Sequence, residues 1–316
     1  MELVVCLAVS FVVTYLAVHF YIPRAIKAGI TGKDMNKRDK PEVAEMGGLT
    51  VVAGFLVAYL LVIYDAPAET LPAHLASLAT ILVVTIVGMV DDLFDMRQSV
   101  KAALPVLASL PLAVIKAGTH IMYFPMLGPI YLGNAYPMLL VPLGITGSAN
   151  AFNMLGGING LEAGMGIISC VTVLVCAIIA ERTASALLMA CMVGALCAFY
   201  IFNRYPSKVF PGDVGTLTIG AAIAAAVIIG NMERVGLFVV TLYFVELVLK
   251  ARTGFKAQCF GTPTRDGLEP PEDIGSLTHI VMRHTTDEPR VAYTLFVIQA
   301  LLCSLVIMNV YLAYGV

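Results

Sequence analysis

LASLATILVVTIVGMVDDLFDMRQSVK, Leu75 to Lys101, is the stretch that decides the architecture. It is apolar as far as Val90, close to the length that crosses the hydrocarbon core of a bilayer, and then breaks on Asp91-Asp92, with Asp95 and Lys101 following. The same kind of run recurs along the whole chain. Of 316 residues 59% are hydrophobic and 13% charged, and the mean hydropathy is +0.89. A soluble domain of this size needs far more polar surface. The net charge of −2 gives no electrostatic reason to expect nucleic acid as a partner.

Working outward gives ten candidate spans: about 2–22, 47–64, 74–90, 100–117, 135–151, 163–180, 184–202, 214–231, 233–250 and 291–314. Pro105, Pro111, Pro137 and Pro142 interrupt the fourth and fifth, which are expected to be kinked or short and packed against other helices. The first run has Glu2 where a signal peptide has basic residues and shows no small-residue cleavage site, so it is expected to be retained. Sixteen of the 19 Lys and Arg fall in the odd-numbered loops, and only Lys116, Arg182 and Arg234 in the even ones. The positive-inside rule then puts the odd loops in the cytosol and both termini outside. The expected fold is an all-α integral membrane protein, one polytopic domain over 1–316. It would have a small external β-hairpin in Gly118–Asn134 and two long cytosolic loops, 23–46 and 251–290. The seven cysteines lie mostly in apolar runs and include no C-x-x-C pair, so neither a disulfide framework nor a zinc site is expected.

The polar residues gather on the odd loops. Asp91 and Asp92 end a helix, where the helix dipole disfavours carboxylates, and they border hydrocarbon, where a charge is costly without a positive partner. A hard divalent cation carrying phosphates would answer both problems, with Lys101 as a further point charge. Asn150, Asn153 and Asn159, interleaved with Gly156, Gly157 and Gly160, join spans five and six. Broken, polar backbone at membrane depth is tolerated where it lines a cavity or ligand. Asp213 opens span eight in a Phe210-Pro-Gly-Asp turn, as a helix cap or as a sharer of the same cation, and Phe210 is placed to stack on a base. His279 and the Arg283-His284 pair lie in the last cytosolic loop, a combination that suits a diphosphate. Glu246 lies inside span nine, with Lys250 one turn on. Carboxylates, Asn and cations on one face match phosphate chemistry on a metal. A cation-coupled transporter is the competing class, although coupled sites sit near the midplane and these residues sit at span ends. A CDP-alcohol transferase would carry D-G-x₂-A-R, which is absent.

These motifs resemble the polyprenyl-phosphate N-acetylhexosamine-1-phosphate transferases, over essentially the whole chain and in the family's order. NAFNMLGGINGLEAG is similar to the NAxNxxxGxNGLE segment of the eukaryotic and archaeal branch, and NRYPSKVFPGDVGTLTIG to its YPSxVFxGD stretch. DDLFDMRQSVK keeps the Asp pair and the lysine, and TGKDMNKRDKPEVAEMGG resembles the nucleotide-binding segment after the first span. Bacterial members have acidic residues where this chain has Gly157 and Asn159, and a run of histidines where it has His279, Arg283 and His284.

The resemblance implies ten spans and a cytosolic active site built from 23–46, 91–100, 150–162, 203–213 and 251–290, in the cell membrane if the source is a prokaryote. It implies attack of a polyprenyl or dolichyl phosphate on the β-phosphorus of a UDP-N-acetylhexosamine, with UMP released. Asp213 and Asn153 would hold Mg²⁺, with Mn²⁺ as an alternative. Asp91 and Asp92 would lie by the acceptor phosphate, and Lys101, Arg283 and His284 would neutralise phosphates. Phe210 would stack on uracil, Met35 and Glu45 would hold the nucleoside, and Asp95, Asn150 and Asn159 would complete the substrate site. A homodimer is left open.

Overall fold

The computed structural model describes residues 2–94, 96–119, 121–124 and 128–314. The long apolar runs are helical. Its helices are α1 (Glu2–Ala28), α2 (Gly48–Tyr64), α3 (Leu71–Phe94), α4 (Gln98–Ala108), α5 (Leu110–Val114), α6 (Val141–Met154), α7 (Leu161–Ile179), α8 (Thr183–Asn203), α9 (Gly212–Gly230), α10 (Glu233–Val239), α11 (Thr241–Arg252), α12 (Leu277–Met282) and α13 (Glu288–Tyr314). Among the described residues six are long and apolar enough to cross a membrane: α1, α3, α7, α8, α9 and α13. α2 and the α4–α5 stretch are shorter apolar segments.

Three of the four prolines lie at first turns, whereas Pro105 sits inside α4, which continues to Ala108. Pro111, which lacks an N–H, sits in the first turn of α5 after the break at Ser109 that separates it from α4. Pro137 begins a π-helical turn, Tyr136–Leu140, that leads into α6, and Pro142 lies in the first turn of α6 itself. α1 runs on to Ala28, six residues past the expected boundary, so Arg24 and Lys27 ride on helix; Arg24 bonds back to the Phe20 carbonyl. Long basic side chains can carry their charge to water from such a position, and a hydropathy boundary misses it.

Three two-stranded antiparallel ribbons decorate the helices: β1 (Thr31–Lys33) with β2 (Glu42–Ala44), β3 (Ile121–Phe124) with β4 (Gly128–Tyr131), and β5 (Thr262–Pro263) with β6 (Leu268–Glu269). The β3–β4 hairpin is the one expected between Gly118 and Asn134. The two long loops hold the others, together with α12.

α9 is the most enclosed of the six long helices and packs against α2, α3, α6, α7 and α8. Its small residues allow this, because helices in lipid associate through close backbone approach more than through apolar burial. The α2 and α9 backbones meet at Gly48 and Gly215, where a Cβ on Gly48 would collide with Gly215. A Cβ on Gly88 of α3 would lie 2.7 Å from the Asp213 carbonyl oxygen and the Val214 Cα. Between the same two helices Thr85 and Thr218 share a hydroxyl–hydroxyl hydrogen bond of 2.8 Å.

Gly88→Ala is therefore expected to cost about 1–3 kcal/mol through overpacking against backbone, read as a lower Tm in detergent. Gly147→Ala on α6, where a Cβ meets nothing within 4 Å, should leave Tm essentially unchanged.

Candidate active site

Asp91 and Asp92 occupy the last turn of α3, and their two side chains part company. Asp92 reaches across to the N-terminus of α9, accepting the backbone N–H of Asp213 at 2.7 Å on one oxygen and that of Val214 at 3.0 Å on the other. The carboxylate that its own helix dipole disfavours is stabilised at the positive end of the neighbouring helix. The capping role thus falls to Asp92, and Asp213 in the first turn keeps its carboxylate for other partners.

Those partners are cationic and amide. Lys101, on α4 and 7% exposed, forms ion pairs with both Asp213 and Asp91, the latter at 2.6 Å. Asp91 also accepts the Met96 N–H at 2.9 Å, which closes the turn between α3 and α4. Asn153, at the C-terminal end of α6, completes the group. With its amide oriented to satisfy both ends, the nitrogen donates to Asp213 Oδ1 at 2.9 Å and Thr216 Oγ1 at 2.8 Å, and the oxygen accepts from Lys101 Nζ at 2.8 Å. One ammonium therefore holds two carboxylates and an amide oxygen from three different helices.

Asp213, Asn153 and Thr216 form one wall of a cavity of about 300 Å³. Met35 and Glu45 come to it from the first long loop, Gly156, Gly157, Asn159 and Glu162 from the Asn/Gly turn, and Phe210 from the stretch before α9. Gln258, Cys259, Phe260 and Lys250 close it from the second long loop and α11. Backbone pairing locks the first loop to the α9 approach: Phe210 N–H donates to the Ala44 carbonyl at 2.8 Å, and Gly47 N–H to the Phe210 carbonyl at 2.9 Å. Asn36 ties that loop to the other two, its amide donating to Gly157 O at 2.6 Å and accepting from Gly261 N at 3.1 Å.

Of the residues singled out in sequence, Met35, Glu45, Asn153, Asn159, Phe210 and Asp213 line the cavity, and Asp91, Asp92 and Lys101 lie directly behind Asp213. Asn159 is heavily engaged: its amide nitrogen donates to Asp34 at 3.1 Å, its amide oxygen accepts Ser207 N–H at 2.8 Å, and its own N–H donates to Glu288 at 3.1 Å. Asn150 turns away and donates to the Thr146 and Ala102 carbonyls. Arg283 and His284 are exposed on the turn after α12 and do not line the cavity. Asp95 lies outside the described residues. His279 is buried, bonded to Phe260 O at 3.1 Å and to Gly275 N at 3.3 Å. Burial holds its imidazole below the usual histidine range, which suits a neutral packing role. Glu246 meets Lys250 at 3.9 Å, the pairing that the i, i+4 spacing suggested.

Sequence reasoning passed over Asp34, Asn36, Lys37 and Glu288. Lys37 pairs with Glu288 and sits 3.4 Å from Asp34. The signal was present in the charge mixture of loop 23–46, but the partner at the start of α13 is a tertiary fact.

Two outcomes follow from this geometry. Asp92→Ala should destabilise the protein by about 1–2 kcal/mol as a lost helix cap, with Asp92→Asn recovering part through its remaining acceptor, as read by Tm. Burial first, and then the charge of Asp92, holds the Glu45 carboxyl above its ordinary 4.5. Ionising it therefore costs more in the folded chain than in the unfolded one, so folded-state stability falls as pH rises through the raised value. The Tm advantage of Glu45→Gln over the parent should widen between about pH 4 and about pH 7; a constant difference would contradict the assignment.

Comparison with known proteins places these features. The profile described as glycosyl transferase family 4 matches residues 74–231, which includes α3, the Asn/Gly turn and α9. The chain is 41% identical over 280 residues to a Saccharolobus solfataricus protein provisionally named a UDP-N-acetylglucosamine–dolichyl-phosphate N-acetylglucosaminephosphotransferase, covering 87% of this chain and 86% of that one. A Sulfolobus acidocaldarius protein of the same provisional name is 37% identical over 281 residues, with the same coverage. A phospho-N-acetylmuramoyl-pentapeptide-transferase of Streptococcus mutans is 30% identical over 260 residues, 75% of each chain. With its bilayer-length apolar helices, this chain is an integral membrane protein, and it belongs to glycosyl transferase family 4.

Proposed function

We propose that this chain transfers N-acetylglucosamine 1-phosphate from UDP-N-acetylglucosamine to a polyprenyl phosphate of the dolichyl kind. UMP leaves and the polyprenyl-diphosphate sugar stays in the membrane, the first membrane step of a glycan assembly. The observation that carries this reading is Lys101 set between Asp91 and Asp213, directly behind the wall of a cavity flanked by membrane helices. The names of the archaeal relatives support the donor and the acceptor. The carboxylates stand at the ends of α3 and α9, which disfavours a midplane transport site.

The chemistry asks for positioning more than for a base. A phosphate monoester is largely ionised at neutral pH, so the task is to bring two anions together in line. Asp92 is occupied by the α9 backbone and Asp91 by Lys101 and a turn, so both act as organisers in this reading. Phe210 and Phe260 offer aromatic faces to the uracil within a cavity that Glu45 and Met35 also line. Arg283 and His284 reach the phosphates only if the turn after α12 moves toward the cavity.

The reading includes Mg²⁺, or Mn²⁺ in its place. Among the described residues no cluster of three or more His, Cys, Asp or Glu is placed for a metal. Asp213 and Asn153 nevertheless form an oxygen set of the kind a hard cation takes together with substrate phosphates. Their oxygens already face a positive charge, the Lys101 ammonium. When bound there, the ion would supply neutralisation of diphosphate charge.

The reading also takes the chain as one polytopic domain of ten spans, the short α2, α4–α5, α6 and α10–α11 segments counted with the six long helices. The active-site loops then face the cytosol and both termini the opposite side, as the distribution of Lys and Arg favours.

The test is UMP release in detergent from a panel of UDP-sugars, with Mg²⁺ and a polyprenyl phosphate. Release is expected from UDP-N-acetylglucosamine, only with lipid present, and Asp213→Asn should lower it about a hundredfold or more. No release from any UDP-N-acetylhexosamine would overturn the proposal.

A further inference from the structure

Glu246 and Lys250 lie on α11, one turn apart, and belong to none of the interactions described around Asp213. Glu246 is completely buried. One of its oxygens accepts the Leu277 N–H at 2.8 Å and the Ser276 hydroxyl at 3.1 Å, so it fastens the start of α12 to α11. The other faces the Cys259 thiol at 3.6 Å and Lys250 Nζ at 3.9 Å. The thiol contact is a sulfur hydrogen bond and the lysine contact is long, so the carboxylate draws its hydrogen bonds from the start of α12 and from Cys259.

Lys250 is in the opposite position. Its side chain is 14% exposed, and its ion pair with Glu246 stands at 3.9 Å, the outer edge of such a contact. An ammonium carries three donors, and among the described residues none of them meets an acceptor at hydrogen-bonding distance. It lines the cavity together with Asn153, Asp213, Gln258 and Phe260. The other cations near that space are differently placed. Lys101 is committed to Asp91, Asp213 and the Asn153 oxygen, Lys37 is committed to Glu288 and Asp34, and Lys33 is an exposed residue of β1 at the rim. Keeping a lysine this enclosed with its donors unspent has a cost that an incoming anion would repay.

We propose that Lys250 is a donor-binding residue that hydrogen-bonds the diphosphate of the nucleotide sugar, held toward the cavity by Glu246 through an ion pair too long to consume it. The proposal rests on the nucleotide-sugar reading above. It also gives Glu246 a positioning role: the same carboxylate fixes the 258–260 segment through Cys259 and α12 through Leu277, so the cation and the loop beside it are set by one buried group.

The experiment compares binding of UDP and uridine to the purified full-length protein by calorimetry in detergent. The parent should bind UDP more tightly than uridine, and Lys250→Met should reduce that preference about tenfold or more, while uridine affinity stays unchanged. Lys250→Arg should restore most of the preference. Because Lys250→Met leaves Glu246 buried without its cation, the Lys250→Met, Glu246→Gln double variant removes the charges together and should show the same loss. A structural role alone would move UDP and uridine together. An unchanged preference in both Met variants would overturn the assignment of Lys250, with the parent's UDP binding still standing. A parent that does not distinguish UDP from uridine would overturn the nucleotide-sugar reading and this assignment with it.

Discussion

The hydrogen bonds from the α9 backbone to the Asp92 carboxylate set the geometry on which the polar end of the protein depends. A helix that starts near hydrocarbon has N–H groups that its own residues leave unpaired, and little water to satisfy them. Asp92 satisfies two of these from the end of α3, where its own helix gives a carboxylate no support. The contact fixes α3 and α9 end to end, and Gly88 lets the backbones close to the distance it requires. Asp213 is then delivered to Lys101 with its carboxylate uncommitted to capping, and Asp91 arrives at the same ammonium from the other helix.

A second layer of polar bonds holds the loops over this junction. Ala44 and Val209 pair as a parallel bridge, Asn36 bridges the Asn/Gly turn to Gly261, and Asn159 links Asp34, Ser207 and Glu288. Such networks rigidify when every member is satisfied, and removing one member strands the others. The cavity is thus walled by short segments far apart in sequence, held together by backbone and side-chain hydrogen bonds. Glu246 extends the same logic to the far wall, where it anchors α12 and the 258–260 segment.

Much of this was legible in the chain. Apolar runs long enough to cross a bilayer, punctuated by prolines, located the helical segments, because length and hydropathy are local properties. The Asp91-Asp92, Asn/Gly and Phe210–Asp213 motifs were recognisable because carboxylates and broken backbone are costly beside lipid. What escaped was tertiary or depended on side-chain length. The spacing of Asp92 says nothing of α9 as its partner, and the position of Asp213 also admitted a cap. Arg24 and Lys27 looked like loop because their charge marks a boundary, yet their stems continue a helix. Asn150 shares a motif with Asn153 but faces its own helix and α4, a matter of helical phase. Arg283 and His284 have the right chemistry for phosphates, and their exposed turn keeps them off the cavity wall.

In the proposed reading, Asp213 and Asn153 at the α3–α9 junction, with Lys101 facing them, seat the positive charge that a phosphorylated substrate meets. Anomalous diffraction from crystals grown with Mn²⁺ and UDP tests it most directly. A manganese peak against the Asp213 carboxylate and the Asn153 amide oxygen is expected; a peak elsewhere in the cavity, with Asp213 still bound to Lys101 and the Asn153 amide, would contradict the proposed site.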